Sequence, residues 1–328
     1  MDTTSFPLQL LEHLHGTVAV VGSMNVDYTI TTARLPEPGE TVNGGPLVLL
    51  PGGKSGNQAA AAALLGADVR MFGAVGSDSN ADFLLGHLAA AGVDTSHVRH
   101  VDGPSGLTVI TVDDTAENTI VYSAGSNAQV SVDYVESKIG ELTGADVLGL
   151  CLESPIETVT ACARMCHEAG VRVLLNDSPF TADLPAELIE HTDILLVNEI
   201  EMAQLLDLQA PADDDWSAFD WPLVLERLEA IGIRQAVVTL GADGSVVLDA
   251  TADGDLLALV QRERVKELCF EGHNFFDITR WKQNLVREHN TNSTVRSLAY
   301  PNDLFVLPIP QYELDANENM KPNPTVNK

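Results

Sequence analysis

Short apolar, β-branched runs alternate with Ala- and Leu-rich stretches through the first 254 of the 328 residues, and this alternation constrains the fold most. The apolar runs are typical of buried strands, and the stretches between them have the period of a helix. Alternating strands and helices predict an α/β fold in which helices cover both faces of a parallel sheet. The predicted strands are 17–22, 69–76, 146–152, 171–177, 193–198 and 236–241, and the predicted helices are 57–67, 80–93, 155–170 and 185–191.

Polar residues follow several of the predicted strands, where ligands of a parallel sheet collect. Five such ends in series predict a ligand cleft. A glycine pair before a helix, as at 52–53, lets backbone N–H groups approach an oxygen-rich ligand, although an ordinary tight turn has the same sequence. A phosphate-binding P-loop is rejected because Val48 stands where that motif requires Gly. The polar and glycine residues singled out at these ends are Asn25, Asp27, Gly52, Gly53, Lys54, Asn57, Glu153, Asn198, Glu199, Glu201, Thr239, Gly241 and Gly244.

The net charge of −29 argues against nucleic acid and anionic membranes as partners. The N-terminal segment has no basic region followed by an apolar run, and no apolar run reaches about 18 residues. We therefore expect a soluble, cytoplasmic protein. Four cysteines are too few for a disulfide scaffold. Cys162 and Cys166 could form a metal pair with His167, but buried thiols are the favoured interpretation.

The composition changes near residue 254. Residues 1–254 hold 9 basic and 37 acidic residues, whereas residues 255–328 hold 9 and 10. The second segment also has nine Asn and only three Ala. We interpret this change as a boundary between two domains, 1–254 and 255–328.

The order of motifs in residues 17–253 resembles the ribokinase branch of the PfkB-type carbohydrate kinases. The resemblance rests on "VVGSMNVDYTITTARLPEPGETV", "PGGKSGNQAAAAALLGADV", "GAVGSD", "LESP", "NEIE" and "TLGADG". It implies a doubly wound, mostly parallel sheet with a small β-sheet lid over the sugar. Four segments with strand alternation could form that lid: 27–35, 40–50, 107–114 and 118–125.

The same resemblance implies a division of roles among the polar residues. Ribose, ATP and Mg²⁺ would be the ligands, with a monovalent cation as a further candidate. Glu201 would lie near Mg²⁺. Taken one by one, Asp27 could instead be a turn residue, Glu153 could flank a helix N-cap, and Asn198 could simply end a strand. The implied sugar-binding residues are Asn25, Asp27, Gly53, Lys54, Asn57 and Glu153, and the implied nucleotide-binding residues are Asn198, Thr239 and Gly241.

One residue and one segment depart from the family pattern. Asp177 stands in "LLNDSP" where the family usually has Pro, which affects the phosphate side of the site. The family's Gly-Ala-Gly-Asp segment, whose amides and Asp stabilise phosphoryl transfer and accept the proton, has no clear counterpart. Asp255 in "ATADGD" is the candidate base, but Asp253 would place a negative charge beside it. Asp255 is better explained as a helix N-cap. The predicted kinase domain, 1–254, would therefore lack its C-terminal part.

Residues 256–328 resemble the C-terminal end of SusD/RagB-type glycan-binding proteins. The resemblance rests on "RERVKELCFEGHNFFDITRW" and "FVLPIPQYELDANENMKPNP". One helix followed by extended and loop structure is expected in this segment. His273, Phe275, Phe276 and Trp281 could stack on a sugar, although packing against helices is the favoured role. A fusion, a mis-joined gene model or a designed chimera would each give such a chain.

Three functions are compatible with these observations. The first is an ATP-dependent, ribokinase-type enzyme of impaired or absent activity. The second is a sugar-binding module without catalysis. The third is a SusD-like glycan-binding protein based on the C-terminal segment. A homodimer through the lid is also expected, because pairing would cover the edges of the lid sheet.

Overall fold

The computed structural model describes residues 16–115, 117–211, 216, 219–241 and 244–250, together with the backbone of 285–286 and 297–298. An eight-stranded sheet and a four-stranded sheet organise the described residues between 17 and 249. Both lie in the compact unit His13–Asp253. The predicted α/β fold with a mostly parallel sheet is confirmed.

The large sheet has the order β12-β11-β10-β9-β8-β1-β4-β5. All neighbouring strands are parallel except β11 and β12, which form an antiparallel hairpin. Their apolar residues are mostly buried, as expected for a sheet covered on both faces. The strands are β1 (Thr17–Val21), β4 (Asp68–Val75), β5 (Val98–His100), β8 (Val147–Cys151), β9 (Arg172–Asn176), β10 (Ile194–Asn198), β11 (Gln235–Thr239) and β12 (Ser245–Asp249).

The small sheet has the order β3-β2-β6-β7 and corresponds to the predicted lid. Strand β2 pairs antiparallel with β3 and parallel with β6. Many of its apolar residues are exposed, including Ile120 and Val121 on the edge strand β7. The strands are β2 (Asn25–Thr32), β3 (Val48–Gly52), β6 (Gly106–Asp113) and β7 (Asn118–Ser123).

The helices pack against the strands and against one another. Helix α1 contacts β1, β4, β8 and α2, whereas α5 contacts β8, β9, α3 and α6. A 3₁₀ helix, Gly125–Gln129, follows the lid strand β7 and contacts β4. The helices are α1 (Lys54–Leu64), α2 (Ser79–Ala90), α3 (Val132–Glu136), α4 (Ile139–Leu142), α5 (Ile156–Glu168), α6 (Ala186–Glu190), α7 (Glu199–Leu205) and α8 (Trp221–Ile231).

The order of the strands creates a topological switch point between β1 and β8. From β1 the chain continues to β4 and β5 on one side, and from β8 it continues to β9, β10 and β11 on the other. A crevice forms at the carboxyl ends of the two strands where the winding direction changes. The fold therefore places a ligand site beside the residues that follow β1 and β8.

The cysteines of the described residues are free and buried. Cys162 and Cys166 lie on the buried side of α5, and burial raises the pKa of the Cys166 thiol to about 11. No group of three or more His, Cys, Asp or Glu side chains in the described part of the chain could hold a metal ion. Both cysteines of α5 are therefore buried thiols, the interpretation that the sequence favoured.

Of the C-terminal segment, the structure describes only four residues. The described segments 285–286 and 297–298 form a short antiparallel ladder, β13 (Leu285–Val286) with β14 (Ser297–Leu298). The predicted helix of the C-terminal segment, with His273, Phe275, Phe276 and Trp281, lies outside the described residues. Among the helices that are described, none has the length and apolar character needed to cross a membrane.

Candidate functional site

Three polar groups donate hydrogen bonds to the carboxylate of Glu153 at the ends of β1 and β8. Its Oε2 atom accepts a hydrogen bond from the Ser23 hydroxyl, one from the Lys54 backbone N–H at 3.1 Å, and a long one from Asn25 Nδ2 at 3.5 Å. Glu153 follows β8 by two residues, and Ser23 and Asn25 follow β1. The structure therefore brings Glu153 together with two segments that lie 99 to 130 residues before it in the sequence.

Asp27 lies beside this cluster on the lid strand β2. The Thr108 hydroxyl of β6 donates to its Oδ1 atom. Asp27 lies near Gly52, the last residue of β3, and a Cβ atom on Gly52 would overlap the Asp27 carboxylate. Glycine at position 52 is thus required by the close approach of that carboxylate. The lid strand β2 thus brings the Asp27 carboxylate close to the residues that precede α1.

Gly53, the residue directly before α1, has a backbone conformation that residues with a side chain avoid. Gly53 has φ 89°, and a Cβ there would lie 2.8 Å from the Asn25 backbone nitrogen. This geometry places the first turn of α1, with Lys54, against the residues after β1. Asn57 lies in the same turn, and its side chain is exposed. The 52–57 segment is therefore not an ordinary surface turn but one wall of the pocket.

Asn127 holds the Asn25 side chain in place. Its Nδ2 atom donates to Asn25 Oδ1 at 2.7 Å, and its Oδ1 atom accepts from the Met24 backbone N–H at 3.1 Å. Both Asn residues are almost fully buried. Because Asn25 Oδ1 is used in this way, its Nδ2 group is directed to Glu153. The sequence analysis missed Ser23, Thr108 and Asn127 as site residues. Ser23 stands within the motif after the first strand and Thr108 within the predicted lid segment 107–114, whereas Asn127 lies in no segment that was singled out.

A second polar group lies two strands away. Asn198 caps α7: its Oδ1 accepts from the Glu201 N–H at 2.7 Å, and Glu201 Oε2 accepts from the Asn198 N–H at 2.8 Å. Thr239, at the end of β11, is in register with Asn198. Neighbouring strands are ~4.8 Å apart, so the ends of β8 and β10 are separated by roughly 10 Å along one sheet edge. The two polar groups therefore line the same edge. Gly241 is exposed two residues beyond Thr239, with φ 54°.

Asp177, directly after β9, lies between the two groups in the strand order. It is fully buried, and its Oδ1 atom accepts from the Thr181 N–H at 3.1 Å. Burial and the negative charge of Glu201 raise the pKa of Asp177 to about 6, against the opposing effect of that hydrogen bond. Its Oδ2 atom has no hydrogen-bond partner among the described residues. Carboxylate oxygens at this place fit a hard divalent cation such as Mg²⁺, which takes one or two carboxylates plus phosphate oxygens.

The structure thus places most of the predicted site residues at one edge of the sheet. Asn25, Asp27, Gly53, Lys54 and Glu153 meet at the switch point, and Asn198, Glu201 and Thr239 meet at the ends of β10 and β11. The interpretation of Asn198 as a simple strand end is incomplete, because its side chain forms a capping box. Asp255, the candidate base, lies outside the described residues.

Comparisons with known proteins agree with this geometry over most of the chain. The model of the pfkB family carbohydrate kinases matches residues 16–265, and the model of the SusD family matches residues 240–325. A ribokinase from Haemophilus influenzae is 34% identical over 232 residues, which cover 70% of this chain and 74% of that protein. A ribokinase from Schizosaccharomyces pombe is 33% identical over 249 residues, which cover 74% of this chain and 77% of that protein.

The solved structure of Arabidopsis thaliana ribokinase complexed with ribose and ATP superimposes with a TM-score of 0.64 and 26% identity. The superposition covers 73% of this chain and 77% of that one. The family model spans well over half of the chain, and the relatives agree in sequence and in fold. The chain therefore belongs to the pfkB family of carbohydrate kinases.

Proposed function

We propose that the chain binds a small sugar, with ribose as the first candidate, in the pocket around Glu153 and Asp27, and ATP with Mg²⁺ at the ends of β10 and β11. The observation that carries the proposal is the convergence of Ser23, Asn25 and Lys54 on Glu153 at the switch point. The ribokinases of H. influenzae and S. pombe, and the A. thaliana ribokinase solved with ribose and ATP, support ribose and ATP as the ligands.

Each part of the pocket suits a polyhydroxylated ligand. The carboxylates of Glu153 and Asp27 accept hydrogen bonds from hydroxyl groups, and the exposed amide of Asn57 can both donate and accept. Vicinal hydroxyls can therefore be bound by adjacent acceptors and donors. Bound Mg²⁺ would neutralise phosphate charge, and we propose that Glu201 and Asn198 help to orient it.

Calorimetry with ribose tests the sugar site. We expect binding by the wild type and a loss of measurable binding in Asp27→Ala, because that change removes an acceptor from the pocket. Asp133→Asn, which alters an exposed carboxylate on α3, serves as the matched control and should bind as the wild type does. Absence of heat at millimolar ribose in the wild type would refute the proposed site.

We further propose that phosphoryl transfer is slow or absent. The Gly-Ala-Gly-Asp segment has no clear counterpart in the sequence, and general-base catalysis contributes about 10²–10⁴ in rate. The experiment incubates the full chain with ribose and Mg-ATP and measures ADP. Turnover at an ordinary kinase rate that Asp255→Asn abolishes would show that Asp255 is the base and that the proposed impairment is wrong.

The C-terminal segment is proposed to be a SusD-like addition to the kinase domain. The match of the SusD family model to residues 240–325 supports this, as does the change of composition near residue 254. Retention of the full chain on a polysaccharide column that Trp281→Ala abolishes would favour a glycan-binding role over the sugar kinase. We expect no such retention, because the sugar pocket lies in the first domain. A cytoplasmic location remains our prediction and is tested by fractionation.

A further inference from the structure

We propose that Tyr122 is a positioning residue of the sugar site, because its hydroxyl holds the lid sheet against the backbone of Glu153. The inference rests on the proposed function and deepens it, since it names what sets the spacing of the two carboxylates that would bind the sugar. Asp27 lies on the lid strand β2, whereas Glu153 follows β8 of the large sheet. Their relative position therefore depends on the contacts between the lid and the end of β8.

The first argument is a hydrogen bond that crosses from the lid to the large sheet. Tyr122, on the edge strand β7, donates from its hydroxyl to the Glu153 carbonyl oxygen at 3.2 Å. The carboxylate of the same glutamate accepts hydrogen bonds from three polar groups of the site. Tyr122 thus holds the backbone of the residue on which the site converges.

The second argument is the register of the lid strands. Asp27 on β2 is in register with Thr108 on β6, and Thr108 is in register with Tyr122 on β7. Residues in register on neighbouring strands lie on the same face of a sheet. The hydrogen bond from the Thr108 hydroxyl to the Asp27 carboxylate agrees with this placement. The lid face that carries Asp27 is therefore also the face from which Tyr122 reaches Glu153.

The third argument is that both edges of the lid sheet are connected to Glu153. The edge strands are β3 and β7 in the order β3-β2-β6-β7. Strand β3 ends at Gly52, and two residues later the Lys54 N–H donates to Glu153 Oε2 at 3.1 Å. At the opposite edge, Tyr122 donates to the Glu153 carbonyl. Because β2 lies between these edges, the two hydrogen bonds together restrain Asp27 relative to Glu153.

The state of the Tyr122 phenol suits this role. Burial raises the pKa of Tyr122 to about 12, although a hydrogen bond with the Asn127 side chain opposes the shift, and the negative charge of Glu153 adds to it. The phenol is therefore a neutral hydrogen-bond donor near neutral pH. Two binding groups that are fixed before the ligand arrives lower the entropy that binding costs. Loss of the Tyr122 hydroxyl should thus weaken sugar binding without removing any group that binds the sugar.

The experiment compares Tyr122→Phe with a matched control, Tyr28→Phe, in the full chain. Tyr28 also lies on a lid strand, and its hydroxyl donates to the Asn80 side chain of α2 at 2.8 Å. It follows Asp27 directly on β2, so its side chain lies on the other face of the lid. Each variant keeps the aromatic ring and removes one hydrogen bond between the lid and its surroundings.

Calorimetry with ribose is the first readout. We expect Tyr122→Phe to raise the Kd for ribose roughly three- to tenfold, the factor that corresponds to the loss of one hydrogen bond. Tyr28→Phe should have a Kd within about twofold of the wild-type value, because its hydrogen bond does not involve Glu153. Thermal unfolding of the ligand-free proteins checks that both variants fold.

Hydrogen–deuterium exchange is the second readout, and it reports on the lid without any ligand. Amide exchange in the segments 118–123 and 152–154 should be faster in Tyr122→Phe than in the wild type. Tyr28→Phe should leave the exchange of 152–154 unchanged. Exchange that is equal in Tyr122→Phe and the wild type would show that the hydroxyl does not hold the lid against Glu153, and would overturn the proposal.

The binding results decide the remaining alternatives. A lower Tm of Tyr122→Phe with an unchanged Kd would show a purely structural role, and equal weakening by both variants would show that lid attachment in general matters. Either result would overturn the proposal and leave the sugar site standing, because the wild type would still bind ribose. Absence of binding by the wild type would instead refute the sugar site itself, and the role of Tyr122 with it.

Discussion

At the scale of single residues, the sugar pocket depends on side chains that act through their neighbours. Ser23 is buried and donates to Glu153, and its Oγ also lies 3.7 Å from Cys151 Sγ. Asn127 orients Asn25 in the same way. These are positioning residues, because they fix the direction of the groups that face the pocket.

Ser23→Ala should weaken ribose binding roughly tenfold or more, because a hydrogen bond to a charged group contributes about 1.5–3 kcal/mol. The measurement is the Kd for ribose, with the Tm recorded in parallel. Thr158→Val, on α5, is the matched control, because it removes a buried hydrogen bond that the Thr158 hydroxyl donates to the Val130 carbonyl. If both variants lose stability but neither loses affinity, Ser23 does not position Glu153.

At the scale of elements, Asp78 connects a helix to a loop. It caps α2 by accepting from the Ala81 N–H at 3.1 Å, and it accepts from the Ser105 N–H at 2.8 Å and from the Ser105 hydroxyl at 2.6 Å. Burial alone would raise the pKa of Asp78, but the hydrogen bonds from Ser105 and Ala81 outweigh it and hold the pKa below its ordinary value. The ionised form is therefore the one that stabilises this junction.

Asp78→Ala should lower the free energy of unfolding near neutral pH by about 1 kcal/mol or more, the usual cost of losing an N-cap. Because the folded-state pKa is depressed, the contribution of Asp78 is fully present above about pH 4, the ordinary Asp pKa. It is lost as the pH falls through the lower, folded-state value. Denaturant unfolding at several pH values measures the difference between variant and wild type.

Asp220→Ala is the control for this prediction. Asp220 caps α8 by accepting from the Leu223 N–H at 3.2 Å, and within the described part of the chain its side chain is not seen to bridge to another segment. It should cost less than Asp78→Ala at neutral pH. A difference between Asp78→Ala and the wild type that stays constant down to pH 2 would contradict the role of the charge.

At the scale of the whole molecule, the lid sheet leaves apolar side chains exposed. Val121 is 67% exposed and Ile120 is 60% exposed on the edge strand β7, and Val48 and Leu50 are exposed on the edge strand β3. Exposed apolar edge strands are templates for pairing with another chain. The predicted homodimer through the lid stays a prediction that these features support.

We expect the wild type to sediment as a dimer at micromolar concentration and Val121→Glu to sediment as a monomer, because the new charge would be buried in the interface. Leu64→Glu, at a similarly exposed apolar position on α1, is the control and should leave the dimer intact. Analytical ultracentrifugation distinguishes these outcomes. A monomeric wild type at all concentrations would show that the lid does not form an interface.

Also at this scale, the two family models overlap between residues 240 and 265, around the predicted boundary at 254. Beyond residue 250, which follows the hairpin strand β12, the structure describes only 285–286 and 297–298. The boundary at 254, and the division into domains 1–254 and 255–328, therefore remain predictions from composition and motif order.

The sequence by itself determined the class of fold. The apolar runs at 17–22, 146–152 and 193–198 are long enough and apolar enough for buried strands, and the helices between them require a parallel sheet. The alternation in 27–35 and 107–114 likewise indicated lid strands, which the structure has at Asn25–Thr32 and Gly106–Asp113. Local patterns predict the strands of the large sheet because a strand that is buried on both faces consists mostly of apolar residues.

Only the tertiary structure decided which polar residues share a site. Ser23 and Glu153 are 130 positions apart, and Asn127 and Asn25 are 102 apart. Such pairs leave no periodic signal, because their contact depends on the order of strands and not on local spacing. The burial of Asp177 is of the same kind: the sequence marks an unusual residue, but its side chain is buried only because β9 and β10 lie side by side.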